Sequence, residues 1–340
     1  MTRRFPRRVR RATLAAGVIL LALAACDGVP ARDAAVRVTV PQGATFKQVA
    51  DSLAARQVIG SAPWFRLLGR MRGVDRKVGA GVYEFAPGAT MNQVLDALAS
   101  GRVAAQRFTV PEGRSMFEVA ELAAERLDLP ADSVLAAARD PRLLSEVGLT
   151  GGSLEGFLWP DTYQLPLDLD ARGLVRTMAR TFEQNWDSAW TRRLDTLGMT
   201  RRELVTLASI VEGEARVDGE RETIAGVYHN RLRIGMPLQA DPTIQYALRL
   251  NTGARKPRLF EKDYQTPSPY NTYLNPGLPP GPVASPGRRS IEAALYPADV
   301  PFLFFVADTS GRHTFTRTYA EHLRAVAQSR RAAQSARGGS

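Results

Sequence analysis

A pattern that recurs three times near the start of the chain limits its fold more than any other feature. The copies read Val38-Thr39-Val40-Pro41-Gln42-Gly43-Ala44-Thr45-Phe46, Tyr83-Glu84-Phe85-Ala86-Pro87-Gly88-Ala89-Thr90-Met91 and Phe108-Thr109-Val110-Pro111-Glu112-Gly113-Arg114-Ser115-Met116. Behind each glycine follow a Thr or Ser, then an apolar residue, and three positions further a valine (Val49, Val94, Val119). Alternating residues, a Pro/Gly turn and a hydroxyl N-cap spell a short strand, a turn and an amphipathic helix. The expected fold class is α+β, with small βα modules over residues 36–125 followed by a mixed α+β domain over residues 126–326. Modules of this size resemble the LysM-like units of cell-wall proteins, and they serve equally well as plain scaffold.

Further along, residues 128–200 are expected to be mostly helical, with a break at Gly148, Gly151 and Gly152. Inside the break, Glu155 stands among Phe157, Trp159 and Tyr163, a composition common in sugar sites. The segment from Thr200 to Arg216 predicts a helix with a Thr200/Glu203 capping box and an apolar stripe of Leu204, Leu207, Ala208, Val211 and Ala215. At 100° per residue Glu212 borders that stripe, where partial desolvation suits a general acid, whereas Ser209 points away. A plain ion pair with Arg216 would also account for Glu212, and Glu214 and Glu220 fit solvated faces. A second helix is expected over Ile224–Leu232 and an extended polar loop over Met236–Thr243. Ten of the 22 prolines fall between Pro257 and Pro301, which reads as the stiffened wall of a cleft.

The formal charge of +11 does not mark a nucleic-acid binder. Six arginines lie in the first 25 residues and four more follow Glu321, so the body between them carries only about +1. The leader joins those arginines to an apolar run, Ala12–Ala25, that spans only ~21 Å as a helix, short for a bilayer crossing. Residues 1–25 therefore read as a signal peptide. Leu23-Ala24-Ala25-Cys26 resembles a lipobox, with Cys26 as the lipidated residue and 26–35 as a linker; a short anchor with an incidental cysteine is the alternative. Residues 327–340 are expected to be a disordered basic tail. One cysteine and three histidines leave no disulfide framework, and neither a metal site nor a cofactor is expected.

Several motifs in order, Ser209-Ile210-Val211-Glu212-Gly213-Glu214-Ala215, Asn230-Arg231-Leu232, Leu238-Gln239-Ala240-Asp241-Pro242-Thr243, Tyr270-Asn271-Thr272-Tyr273 and Gly277-Leu278-Pro279-Pro280-Gly281-Pro282, resemble the YceG-like endolytic murein transglycosylases. Phe305-Val306-Ala307 with Gly311, His313 and Phe315 extends the likeness. The resemblance implies cleavage of the MurNAc–GlcNAc bond in nascent peptidoglycan strands, limiting their length, at the periplasmic face of the inner membrane. It implies Glu212 as the single catalytic carboxyl, with Gln239, Asp241, Tyr270 and Asn271 binding substrate, and with Glu155 at the substrate site, as a partner raising the pKa of Glu212 or as a structural hydrogen-bond anchor. One carboxyl suffices where the C6 hydroxyl of MurNAc is the nucleophile and a 1,6-anhydro end forms. Implied partners are glycan strands, peptidoglycan synthases and the membrane. Members of the family typically carry a transmembrane anchor, from which the lipobox departs. A two-carboxylate muramidase using Glu212 with Glu155 or Asp241, and a non-catalytic scaffold, remain open alternatives.

Overall fold

Each of the three repeats becomes a strand, a turn and a capped helix. In chain order the elements are β1 (Val36–Val40), α1 (Phe46–Ala55), α2 (Ala62–Met71), β2 (Gly81–Phe85), α3 (Met91–Ser100), β3 (Ala105–Thr109) and α4 (Met116–Leu127). The turn glycines Gly43, Gly88 and Gly113 have φ of 77°, 72° and 74°, a region that glycine enters without steric cost. Thr45, Thr90 and Ser115 each accept from the N–H three residues on, while Gln48, Gln93 and Glu118 reach back to the cap. Such a cap contributes about 1 kcal/mol.

The computed structural model describes residues 34–338. The basic leader, the lipobox and Cys26 lie outside them, and no helix among the described residues is long and apolar enough to cross a membrane. The chain divides into two units: the first runs up to Arg107 and takes in Gln164–Leu169, and the second comprises Phe108–Tyr163 and the chain from Asp170. In the first unit β1 pairs antiparallel with β2, Val38 opposite Tyr83, over a core of Val49, Leu53, Phe65, Leu95 and Leu98. The helix of the third repeat, α4, belongs to the second unit, so the repeats do not form one run of modules.

After α4 come α5 (Ala131–Ala137), α6 (Pro141–Glu146), β4 (Thr162–Pro166), whose last three residues belong to the first unit, α7 (Ala171–Asn185), α8 (Ser188–Leu197) and α9 (Arg201–Glu214). There follow α10 (Arg221–Arg233), α11 (Asp241–Thr252), α12 (Arg288–Leu295), the hairpin of β5 (Phe304–Ala307) and β6 (His313–Thr316), and α13 (Tyr319–Gly338). The capping box of Thr200 and Glu203 opens α9 as its sequence predicts. The one-sided stripe does not hold, because every residue from Leu204 to Val211 is buried and α8, α10, α11 and α12 all pack on this helix. Ser209, expected to face away, is fully buried: its hydroxyl donates to Thr206 O at 2.7 Å and accepts from Val283 N at 3.0 Å. Thr206 donates likewise to Arg202 O, so both hydroxyls are satisfied inside the core.

Two further expectations change. Phe157, Trp159 and Tyr163 are core residues, with Phe157 and Trp159 packed against Phe182 at 5.0 and 5.8 Å between ring centroids; they cover no open sugar face. The basic tail is helical through Gly338, since Ala327, Ala332, Ala333, Ala336 and the intervening Arg and Gln residues are strong helix formers.

Gly156, beside Glu155, has φ +80°, and a Cβ there would lie 2.5 Å from Pro282 and 2.9 Å from Val205. Gly156→Ala should therefore cost roughly 2–5 kcal/mol, the left-handed penalty plus overpacking, read as a lowered midpoint in urea unfolding.

Candidate active site

α9 is buried through its middle, so only its last turn can present functional groups. Glu212 and Glu214 both stand there, and two positions on a helix separate them by ~160°. They meet different surroundings.

Glu214 lines a cleft of about 840 Å³ with Arg216, Gln239, Asp241, Tyr264 and Tyr273. It was expected on a solvated face and is half-buried instead. The Tyr228 hydroxyl donates to its Oε1 at 3.3 Å, and the N–H of Asp241 donates to the same carboxyl. Burial, reinforced by the Asp241 charge, outweighs these donors and Arg216 and pushes the Glu214 carboxyl up to about 7. The N-terminal end of α11 reaches Glu214 because residue 213 is glycine: a Cβ there would lie 2.5 Å from Pro242 Cγ. Asp241 accepts from Tyr273 Oη at 2.7 Å and Tyr264 Oη at 3.5 Å.

Glu212 has only 8% of its side chain exposed, and its carboxylate is engaged on both oxygens. Oε2 accepts from Gly287 N at 3.0 Å and from Ser290 Oγ at 2.7 Å, and Arg221 Nη2 lies 3.6 Å from Oε1. The ion pair with Arg216 anticipated from i+4 spacing is replaced by this one. Glu112, from the turn of the third repeat, adds a second carboxyl, raised by burial and by the Glu212 charge. Glu212 thus fastens α9 to the start of α12.

The other expected site residues separate. Gln239 lines the cleft of Glu214, held at φ 50° with its N–H donating to Thr272 O at 3.1 Å; left-handed backbone at a non-glycine is typical of functional positions. Glu155 is 2% exposed and accepts from Met116 N, the first N–H of α4, at 3.0 and 3.1 Å. Burial pushes it up to about 8 against these bonds and that of Tyr246. It shares with Tyr270 a cavity of about 320 Å³ distinct from the cleft, and the Tyr270 ring packs 4.8 Å from Tyr246. Asn271 is fully buried and spends its side chain on the chain's own backbone, donating to Tyr264 O and Thr266 O and accepting from Tyr273 N. It shapes the loop that delivers Tyr264 and Tyr273 and offers no group to a ligand.

Glu220 holds β6 by accepting from His313, whose Nδ1 lies at 2.7 Å, and is not solvated. Asn230 donates to Val300 O and Phe302 O, and Arg231 to Leu303 O and Leu238 O; this motif clamps the strand segment beside the cleft. Tyr228, Tyr264 and Tyr273 escape notice as partners of the two acids, since nothing local in sequence joins residues up to 32 positions apart.

Similarity to known proteins agrees with the fold. The YceG-like family model matches residues 38–328. The endolytic murein transglycosylase of Bacillus subtilis (strain 168) is 31% identical over 306 residues, 85% of this chain and 83% of the relative. The protein of the same name from Streptococcus pneumoniae serotype 2 (strain D39) is 28% identical over 322 residues, 86% of this chain, which spans 58% of that relative's length. A YceG-like protein from Listeria monocytogenes, known from a 2.6 Å crystal structure, aligns with a TM-score of 0.59 at 31% identity, over 86% of this chain and 99% of that one. On the match along most of its length, this chain belongs to the YceG-like family.

Proposed function

We propose that the chain is an endolytic lytic transglycosylase acting on peptidoglycan, and that Glu214, in place of Glu212, is its acid and base. The observation that carries this assignment is the cleft: Glu214 opens into a cavity of about 840 Å³ with a carboxyl near neutrality, whereas Glu212 is bonded to Gly287, Ser290 and Arg221. A general acid works best when its pKa lies near the working pH.

Protonated Glu214 donates to the glycosidic oxygen as the bond from MurNAc C1 breaks. The resulting carboxylate takes the proton of the MurNAc C6 hydroxyl as O6 bonds to C1, closing the 1,6-anhydro ring, so that no water is consumed. The Asp241 carboxylate, oriented by Tyr273 and Tyr264, supplies negative charge for the oxocarbenium-like state. Gln239 orients the sugar. Glu155 and Tyr270 act outside the reacting cleft, with Glu155 anchoring the start of α4.

The finer biological picture follows from sequence features. The basic leader and the Leu23-Ala24-Ala25-Cys26 lipobox support a lipid anchor at Cys26 on the periplasmic face of the inner membrane. There the enzyme limits the length of strands made by neighbouring synthases, and the βα modules contribute LysM-like contacts to glycan.

Glu214→Gln should lower release of 1,6-anhydroMurNAc-ended fragments by about 10²–10⁴-fold, while circular dichroism stays unchanged. Glu212→Gln should keep activity within tenfold while losing roughly 1–3 kcal/mol of stability, since its ion pair with Arg221 goes. The reverse ranking returns the role to Glu212, and release of reducing ends alone rules out the anhydro mechanism.

The pH profile gives an independent check. Bond cleavage needs protonated Glu214, so kcat/KM should be level below about 7 and fall as pH rises through it. Asp241→Asn removes a charge that disfavours ionisation and should move that break to lower pH.

A further inference from the structure

The lining of the 840 Å³ cleft combines two kinds of chemistry. Glu214, Asp241, Tyr264 and Tyr273 provide acids and hydroxyls, and the segment Arg255-Lys256-Pro257-Arg258, together with Arg216, provides cations. A glycan backbone of alternating GlcNAc and MurNAc rings is uncharged apart from what the lactyl group carries. The acid–base work described above employs none of the segment's cations.

The segment is built rather than loose. Gln245 of α11 donates to Lys256 O at 2.9 Å and accepts from Lys256 N at 3.1 Å. Lys256 Nζ is occupied by Asp263 at 2.5 Å. Pro257 fixes the backbone between the two arginines. Arg255 has 55% of its side chain exposed and reaches Glu118 only at 3.7 Å. The Arg258 guanidinium lies 5.7 Å from the Phe260 ring centroid and is paired with no carboxylate among the described residues. Two guanidinium groups, held on a fixed backbone at the edge of a cleft, are thus available to carboxylates, which they bind in bidentate fashion. At 840 Å³ the cleft lies near the top of the ~300–1,000 Å³ range of ligand pockets, with room for a branch beside the ring.

We infer that Arg255 and Arg258 bind the carboxylates of the stem peptide on a muramyl residue, so that the enzyme selects peptide-bearing strands over strands stripped to the lactyl group. The inference rests on the glycan-cleaving function proposed above and adds the substrate class that the cleft prefers.

The test is a binding measurement that does not depend on turnover. Full-length protein carrying Glu214→Gln is titrated against fluorescently labelled glycan strands, either with intact stem peptides or after amidase removal of the peptides. Peptide-bearing strands should bind at least tenfold more tightly, and the preference should shrink from 0.05 to 0.5 M salt, as exposed ion pairs are screened. Adding Arg255→Gln and Arg258→Gln should abolish the preference. Equal binding of the two strand types, a preference that survives in the arginine variant, or no strand binding overturns the inference. Displacement of peptide-bearing strands by millimolar inorganic pyrophosphate, with stripped strands bound as tightly, assigns the cations to phosphate and also overturns it. Failure of the transglycosylase mechanism would show separately, as absence of 1,6-anhydro products from the wild-type enzyme.

Discussion

Burial of α9 on every side is the constraint on which the second unit depends. A helix covered all round must satisfy its polar side chains internally and can expose chemistry only at an end. Thr206 and Ser209 meet the first requirement through backbone carbonyls, and Ser209 also takes the N–H of Val283. The last turn meets the second. There Glu212 points to the start of α12 and is used as a fastener, and Glu214 points to α10 and α11 and is left facing the cleft. Glu214 is also the final residue of α9, where the partial negative charge of a helix C-terminus disfavours a carboxylate. Helix end, burial and Asp241 act in the same direction.

Features written in local sequence were legible. The three turn glycines, the hydroxyl caps with Gln48, Gln93 and Glu118, and the capping box of α9 all follow from residues within four positions of one another. The proline-rich stretch was legible as a wall: Tyr264 and Tyr273 line the cleft, and Pro280 and Pro282 line the cavity of Glu155. The different surroundings of Glu212 and Glu214 were not, because helical periodicity assumes one covered face and α9 has none open. The same limit misplaced Ser209, and Glu220 was misplaced because its partner, His313, lies 93 residues away. Composition misled at Phe157, Trp159 and Tyr163, since aromatic rings suited to stacking on sugars are equally suited to a core. Asn271 shows a related limit: a motif residue can be indispensable to a site through backbone hydrogen bonds alone.

The site is assembled from widely separated parts of the chain. Tyr228 comes from α10, Asp241 from the start of α11, Tyr264 and Tyr273 from the loop beyond it, and Arg216 from the turn after α9. Asn230 and Arg231 hold residues 300–303 against this group through carbonyls, while the Phe302 ring stacks on Phe315 at 5.8 Å between centroids.

The bonds that cover α9 also carry a cost in time. Ser209 waits for Val283, 74 residues later, and Glu212 for Ser290, 78 residues later. At a synthesis rate of ~5–20 residues per second, the helix emerges roughly 4–16 s before the chain that encloses it. Leu204, Val205, Leu207 and Ile210 are exposed to other chains during that interval. The apolar residues of α9 therefore stay uncovered until residues 283–290 have been made and have closed over them.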